Sequence, residues 1–192
     1  MARAEALMYA GHFAAGLAIR AREPRVRLST ALLATGWLDI VHGVLVLVGV
    51  EHARPDPSKF LGWDLDYMPW SHSLAAAVVW SLAGAALFAK RGRAVAIAIA
   101  IGVFSHFALD WPMHEHDLAL APGSQPHLGL ALWGWSSIGA WLVEGAVVAA
   151  CAAYYMRRGG RASVVAVVGV LWLSFCPPLS PVRMAGVYLA RG

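Results

Sequence analysis

Residues 93–111 read RAVAIAIAIGVFSHFALDW, and this stretch decides how the chain is housed. From Ala94 to Phe104 no side chain ionises, and the run approaches the roughly 20 apolar residues that a helix needs to cross a hydrocarbon core about 30 Å thick. The stretch then breaks its own pattern. His106 and Asp110 stand four residues apart, so on a helix they share one face near its end. Two questions follow: how many such spans there are, and what their polar residues do together.

On the same ruler five further segments appear, at about residues 5–20, 28–50, 71–90, 130–156 and 162–179. The expected fold class is all-α: a polytopic membrane helix bundle of about six helices, forming a single membrane domain over residues 1–192. The first segment includes Glu5 and His12, which makes it a short, tilted or interfacial helix. The last ends at Pro177-Pro178, which cannot continue a regular helix. Residues 51–70 and 112–129 each carry three prolines and are expected to be irregular loops.

Composition agrees. The set AVILMFWYC makes up 59% of the chain and charged residues 14%, against about 25% charged in an ordinary soluble domain. The mean hydropathy is +0.61. Nine tryptophans and the long apolar runs exclude disorder. A net charge of +4 would suggest nucleic acid in a soluble protein. Here the basic residues fall in short clusters between apolar segments, so they signal topology, and no nucleic-acid partner is expected. Cys151 and Cys176 lie in apolar runs and offer neither a disulfide nor a cysteine-based zinc framework. Glu5 follows Arg3 closely, so the first segment does not read as a cleaved signal peptide.

The short connections carry Arg20, Arg22, Arg25 and Arg27, then Lys90, Arg91 and Arg93, then Arg157, Arg158 and Arg161. Ten of the 15 basic residues therefore share a side with one acid, Glu23. The positive-inside rule makes that side cytoplasmic. The two long loops and both termini then face outward in a six-span chain.

An Asp at the centre of a membrane helix costs about 2.5 to 3.5 kcal/mol on the insertion scale, so such residues usually mark a site. His12, Asp39, His42, His72, His106 and Asp110 come from four different segments, yet the charge-derived topology puts all of them in the outer half. Imidazoles and carboxylates together are a ligand set for a divalent metal, zinc foremost and manganese second, and a carboxylate beside a ligand histidine also orients its ring. For each residue alone a plainer reading competes. A lone histidine is commonly an interhelical hydrogen bond, His106 with Asp110 a buried ion pair, and Asp39 the lining of a water-filled cavity. His52 and His127 read as surface residues, His114 and His116 as the start of an exposed loop, and Trp133, Trp135 and Trp141 as an interfacial belt and helix packing.

Four sequence elements carry a resemblance: His12 after a short apolar lead, Leu38-Asp39-Ile40-Val41-His42, Ser71-His72-Ser73-Leu74, and Ser105-His106 with Asp110. In this order they resemble the membrane-bound metal-dependent hydrolases similar to the bacterial inner-membrane protein YdjM. Val41 stands where that family has a second Asp, and Tyr67-Met68-Pro69 replaces a His-Arg-Gly. The family is in turn similar to zinc-dependent phospholipase C and P1-type nucleases. On that likeness His106, Asp110 and His116 follow a His, Asp, His order, while Ala140 stands in place of the histidine that would precede Glu144. The resemblance implies a bacterial inner-membrane hydrolase holding one or two ions. Its substrate would be an ester or phosphoester of a lipid-like molecule, reached at the outer face, with Asp66 or Glu144 as general base. An ion or proton transporter, supported by Glu144 at mid-membrane, a haem-binding electron carrier using paired histidines, and a non-catalytic metal-binding subunit are the competing classes.

Overall fold

In hydrocarbon the backbone has no water to pair with, so the apolar runs can cross only as helices that satisfy their own peptide groups. The computed structural model describes residues 9–56, 63–114, 117–124, 127–174 and 176, and only the backbone of residues 63, 64, 66 and 67. The helices in chain order are α1 (Tyr9–Arg22), α2 (Leu28–Thr35), α3 (Trp37–Leu47), α4 (Leu74–Phe88, continued by a 3-10 turn Ala89–Arg91), α5 (Arg93–Met113), α6 (Leu132–Trp135), α7 (Ser137–Arg157) and α8 (Ala162–Ser174). Among the described residues three are long and apolar enough to cross a membrane, Leu74–Arg91, Arg93–Met113 and Ser137–Arg157. The α2–α3 pair makes a fourth if it is one bent span. The all-α bundle is as expected, while the count of six spans is looser, because α1 and α8 are only 14 and 13 residues long.

Two departures from the sequence reading have physical causes. The expected segment 28–50 is broken at Gly36, with a 57° bend between α2 and α3. Thr35 Oγ1 bonds back to the carbonyls of Ala31 and Leu32, an arrangement that bends helices, and glycine follows it with φ −97° and ψ 9°. The loop 51–70 is not wholly irregular. It holds a two-stranded antiparallel sheet, β1 (His52–Pro55) with β2 (Trp63–Tyr67), pairing His52 with Tyr67 and Arg54 with Asp64 around an irregular step.

Small residues bring the helices together, as is common where lipid competes with side chains for apolar contact. A Cβ on Gly16 of α1 would lie 2.9 Å from Leu32 Cδ2 of α2, and one on Gly102 of α5 would lie 3.1 Å from Ala34 Cβ. Gly145 of α7 receives the indole of Trp172 from α8, and Trp141 and Trp172 stack at 4.2 Å while each Nε1 donates to the other's carbonyl. Thus Trp141 serves helix packing, holding α7 to α8. One apolar core joins α2, α4 and α5, and a second joins α1, α7 and α8.

The ends of the bundle differ. Arg20 and Arg22 close α1, Lys90 and Arg91 close α4, Arg157 closes α7 and Arg93 opens α5, whereas His12, His106 and Asp110 lie toward the opposite ends of their helices. This segregation gives a topology prediction. In a chain lacking Cys151 and Cys176, a cysteine at Ser124 should react with an impermeant thiol reagent in intact cells and one at Arg91 should not. The reverse pattern would turn the polar end toward the cytoplasm.

Candidate metal centre

The polar end is assembled by loops that close back onto helix termini. The first amides of α4 have no partners inside their own helix, and here Leu74 N–H and Ala75 N–H donate to the carbonyls of Ala119 and Leu120 while Ser73 Oγ accepts from Ala76 N–H. Past the end of α5, Leu130 N–H donates to Trp111 O, Ala131 N–H to His114 O, and Trp111 Nε1–H to Leu128 O. Residues 119–120 are thereby strapped to α4 and residues 128–131 to the end of α5, with His72 and His114 at those two helix ends. His114 is buried against the Trp133 ring at 4.4 Å, not exposed in a loop as its sequence context suggested.

Within this frame the side chains converge. His12, His72, His106 and Asp110 are each at most 4% exposed. His72 Nε2 lies 3.3 Å from His106 Nε2. Asp39 Oδ1 lies 3.5 Å from the first and 3.4 Å from the second. Asp110 faces two ways: Oδ2 lies 3.3 Å from His106 Nε2 and 3.8 Å from His72 Nε2, while Oδ1 lies 3.2 Å from His12 Nε2 and 4.0 Å from His114 Nε2. The His12 and His106 rings stack at 3.8 Å.

The outer nitrogens of three of these rings, together with that of His42 beside them, explain why the inner ones converge. His106 Nδ1–H donates to the carbonyl of Thr35 at the α2–α3 break, 2.7 Å away. His114 Nδ1–H donates to Asp117 at 3.0 Å, and His42 Nδ1–H to Glu51 Oε2 at 2.8 Å. Ser71 Oγ–H donates to Glu51 Oε2 at 2.6 Å, which leaves Ser71 Oγ to accept from His72 Nδ1–H at 2.7 Å. Each neutral ring so tied carries its proton on Nδ1 and presents a lone pair at Nε2. Two lone pairs 3.3 Å apart, with carboxylate oxygens on either side, call for a cation between them.

The distances suit a metal. A zinc–nitrogen bond of about 2.0 to 2.1 Å at tetrahedral angles sets neighbouring ligand atoms about 3.3 Å apart, and the His72, His106 and Asp39 atoms form a triangle with sides of 3.3, 3.4 and 3.5 Å. Among the described residues two groups could hold an ion, Asp39 with His72 and His106, and His12 with His106 and Asp110. They share His106, and one ring nitrogen serves one ion.

Of the residues expected in the site, His12, Asp39, His72, His106 and Asp110 come together. His42 stands at its margin: its ring packs edge-on to His72 at 5.6 Å, and its Nε2 has no hydrogen-bond partner among the described residues. His116 and the side chain of Asp66 lie outside what the structure describes. Glu144 is buried in α7 and accepts Gly11 N–H at 3.0 Å, so its carboxylate satisfies the start of α1, one residue before His12. Sequence reasoning missed Glu51, which is 1% exposed and accepts from Trp70 N–H, Ser71 N–H, Ser71 Oγ–H and His42 Nδ1–H. Burial pushes its carboxyl up, but these hydrogen bonds outweigh it and hold the group below the ordinary carboxylate range. The signal available was an acid directly after the apolar run that ends at Val50.

No curated protein and no solved structure matches this chain, so the remoter likeness to phospholipase C and P1-type nucleases rests on residue order alone. One family does match, over residues 56–179 of 192, which include His72, His106, Asp110 and Glu144. With that match over well over half of its length and its helices long and apolar enough to span a bilayer, the chain belongs to the YdjM inner membrane protein family.

Proposed function

We propose that the chain is a membrane-embedded, metal-dependent hydrolase acting on an ester or phosphoester of a lipid-like molecule at the outer face of the inner membrane. The observation that carries this reading is the outward tying of Nδ1 on His72, His106 and His114, which leaves three Nε2 atoms facing the buried Asp110 and, for His72 and His106, the part-exposed Asp39 as well. A metal bound there, zinc or secondarily manganese, supplies a water of lowered pKa and polarises the acyl or phosphoryl oxygen.

His72, His106 and Asp110 would hold the ion, with Asp39 and His12 completing one or two sites, and the hydrogen bonds to Thr35 and Ser71 keep the rings turned inward. His12 braces the far oxygen of Asp110. Asp39 is the open edge, since its side chain is 26% exposed where the others are nearly sealed. Substrate and water would reach the cluster past it. Asp66 is kept as the proton acceptor expected from the sequence, its side chain lying outside the described residues. Glu144 serves by fixing the first turn of α1 and through it His12.

The test presents the metal-loaded protein in nanodiscs with mixed phospholipids and generic phosphodiester and carboxylester substrates. Hydrolysis should vanish with chelator and return with zinc or manganese. Cobalt-substituted protein should also change its visible spectrum on adding phosphate or a carboxylate, because an exchangeable metal position is required. A spectrum indifferent to both anions would mean a metal saturated by side chains, hence a structural ion, and would overturn the proposal.

A further inference from the structure

Between α2–α3 and α4–α5 runs a groove that the site described above does not use. Its volume is about 510 Å³, within the range of about 300 to 1,000 Å³ typical of small-molecule sites. Leu33, Ala34, Trp37, Trp80, Leu87 and Val103 form much of its wall. Polar surface is nearly absent: the Trp80 Nε1–H is already given to the carbonyl of Trp70, and Thr30 is the one hydroxyl on the lining.

The groove ends close to the polar cluster along three helices. Ala34 precedes Thr35, whose carbonyl orients His106. Val103 lies three residues before His106 on α5, and Trp37 lies two before Asp39 on α3. Cluster and groove are therefore separated by roughly one helical turn, about 5 Å. From Trp80 the groove follows α4 to Leu87 and Phe88, beside the basic end of the bundle, a course of about 12 Å at helical rise. Both α4 and α5 are membrane-length helices, so what fills the groove comes from hydrocarbon and not from water.

We propose that this groove takes one acyl chain of a membrane lipid and places that lipid's ester or phosphoester end at the His/Asp cluster. The inference rests on the hydrolase reading for the word substrate, and on the groove alone for the acyl chain. An amphiphile matches both ends, an apolar channel below and polar ligands above. A helix from a second copy of the chain would match only the walls. The lipid is drawn from within the bilayer, and a water-soluble ester lacks the part the groove binds.

The experiment places the full chain in phosphatidylethanolamine/phosphatidylglycerol vesicles doped with a phosphatidylethanolamine that carries a diazirine at mid-chain, and maps the photoadducts by mass spectrometry. Adducts at Leu33, Ala83 and Leu87 should exceed those at Leu142 and Val167, exposed apolar residues on α7 and α8, by about tenfold, the ratio expected from burying a few methylenes. The exposed-wall variants Ala83→Trp and Leu33→Trp should each cut groove labelling by a similar factor while metal content stays native, which shows that the variants fold. Labelling spread evenly over α4, α7 and α8 would mean ordinary lipid contact and overturn the proposal. So would an Ala83→Cys chain that forms disulfide dimers and loses its adducts, since a second copy would then fill the groove. The two readings fail separately. If metal-loaded protein cleaves nothing yet the adducts stand, the hydrolase reading falls and the groove remains. If labelling is flat while hydrolysis persists in Ala83→Trp, the groove falls and the hydrolase remains.

Discussion

Asp110→Ala should lower metal affinity by more than about 100-fold, the upper end of what losing even an outer-shell partner costs a metal site. Asp110 is where both halves of the cluster meet. Its Oδ2 faces His106 and His72, its Oδ1 faces His12 and His114, and it is 2% exposed. Without the carboxylate, the inward-facing imidazole nitrogens have lost the negative charge that makes a cation welcome among them. The variant should still insert, because the apolar spans Leu74–Arg91 and Ser137–Arg157 do not depend on it. Asp110→Asn keeps the shape and removes the charge, so it separates packing from ligation and should lose nearly as much affinity. Chelator competition on the purified proteins, with metal quantified by mass spectrometry, reads both. Native affinity in both variants would mean that Asp110 is a buried ion-pair partner of His12 and His106 and nothing more.

What the sequence made legible was whatever the bilayer prices steeply. An apolar run of span length can do little but cross, so α4, α5 and α7 were readable. Ionisable residues in such runs must find one another, so the meeting of His12, Asp39, His72, His106 and Asp110 was readable as well. The i, i+4 spacing of His106 and Asp110 holds in the structure, with 3.3 Å between Nε2 and Oδ2. The rest depends on long-range closure, which has no local period. Glu51 reaches Ser71 across 20 residues, and nothing near position 51 announces its partner. His114 looked like a loop residue because its burial is supplied by residues 128–133 folding back. The α2–α3 bend follows from one glycine after one back-bonding threonine, a signal too weak to stand out within an apolar run of more than twenty residues. Glu144 shows the ambiguity in the other direction. Its mid-span position suggested chemistry, yet the same desolvation cost is met by the unpaired N–H of Gly11.

Glu51→Ala should destabilise the protein by about 3 to 5 kcal/mol, the range for breaking a buried charged network by removing one partner. Four donors converge on this one carboxylate: Trp70 N–H at 2.7 Å, Ser71 N–H at 2.9 Å, Ser71 Oγ–H at 2.6 Å and His42 Nδ1–H at 2.8 Å. Each one left unpaired in a buried site costs about 1 to 3 kcal/mol, and only the part-exposed His42 side and Trp70 N–H can recruit water. Because the folded carboxyl titrates below its unfolded value, its contribution is fully present above the unfolded value of about 4.3 and fades as pH falls through the folded one. The melting difference between native and variant protein in detergent should therefore narrow on acidification. Metal affinity should fall as well, by about 10- to 100-fold, since Glu51 orients His72 through Ser71 Oγ. Glu51→Gln tests that link directly. It keeps an acceptor for the amides of Trp70 and Ser71 but puts an NH₂ where His42 and Ser71 donate, so it should recover most of the stability and little of the affinity. If Glu51→Gln instead restored both in full, the carboxylate would be a plain loop cap and the orientation of His72 would have to come from elsewhere.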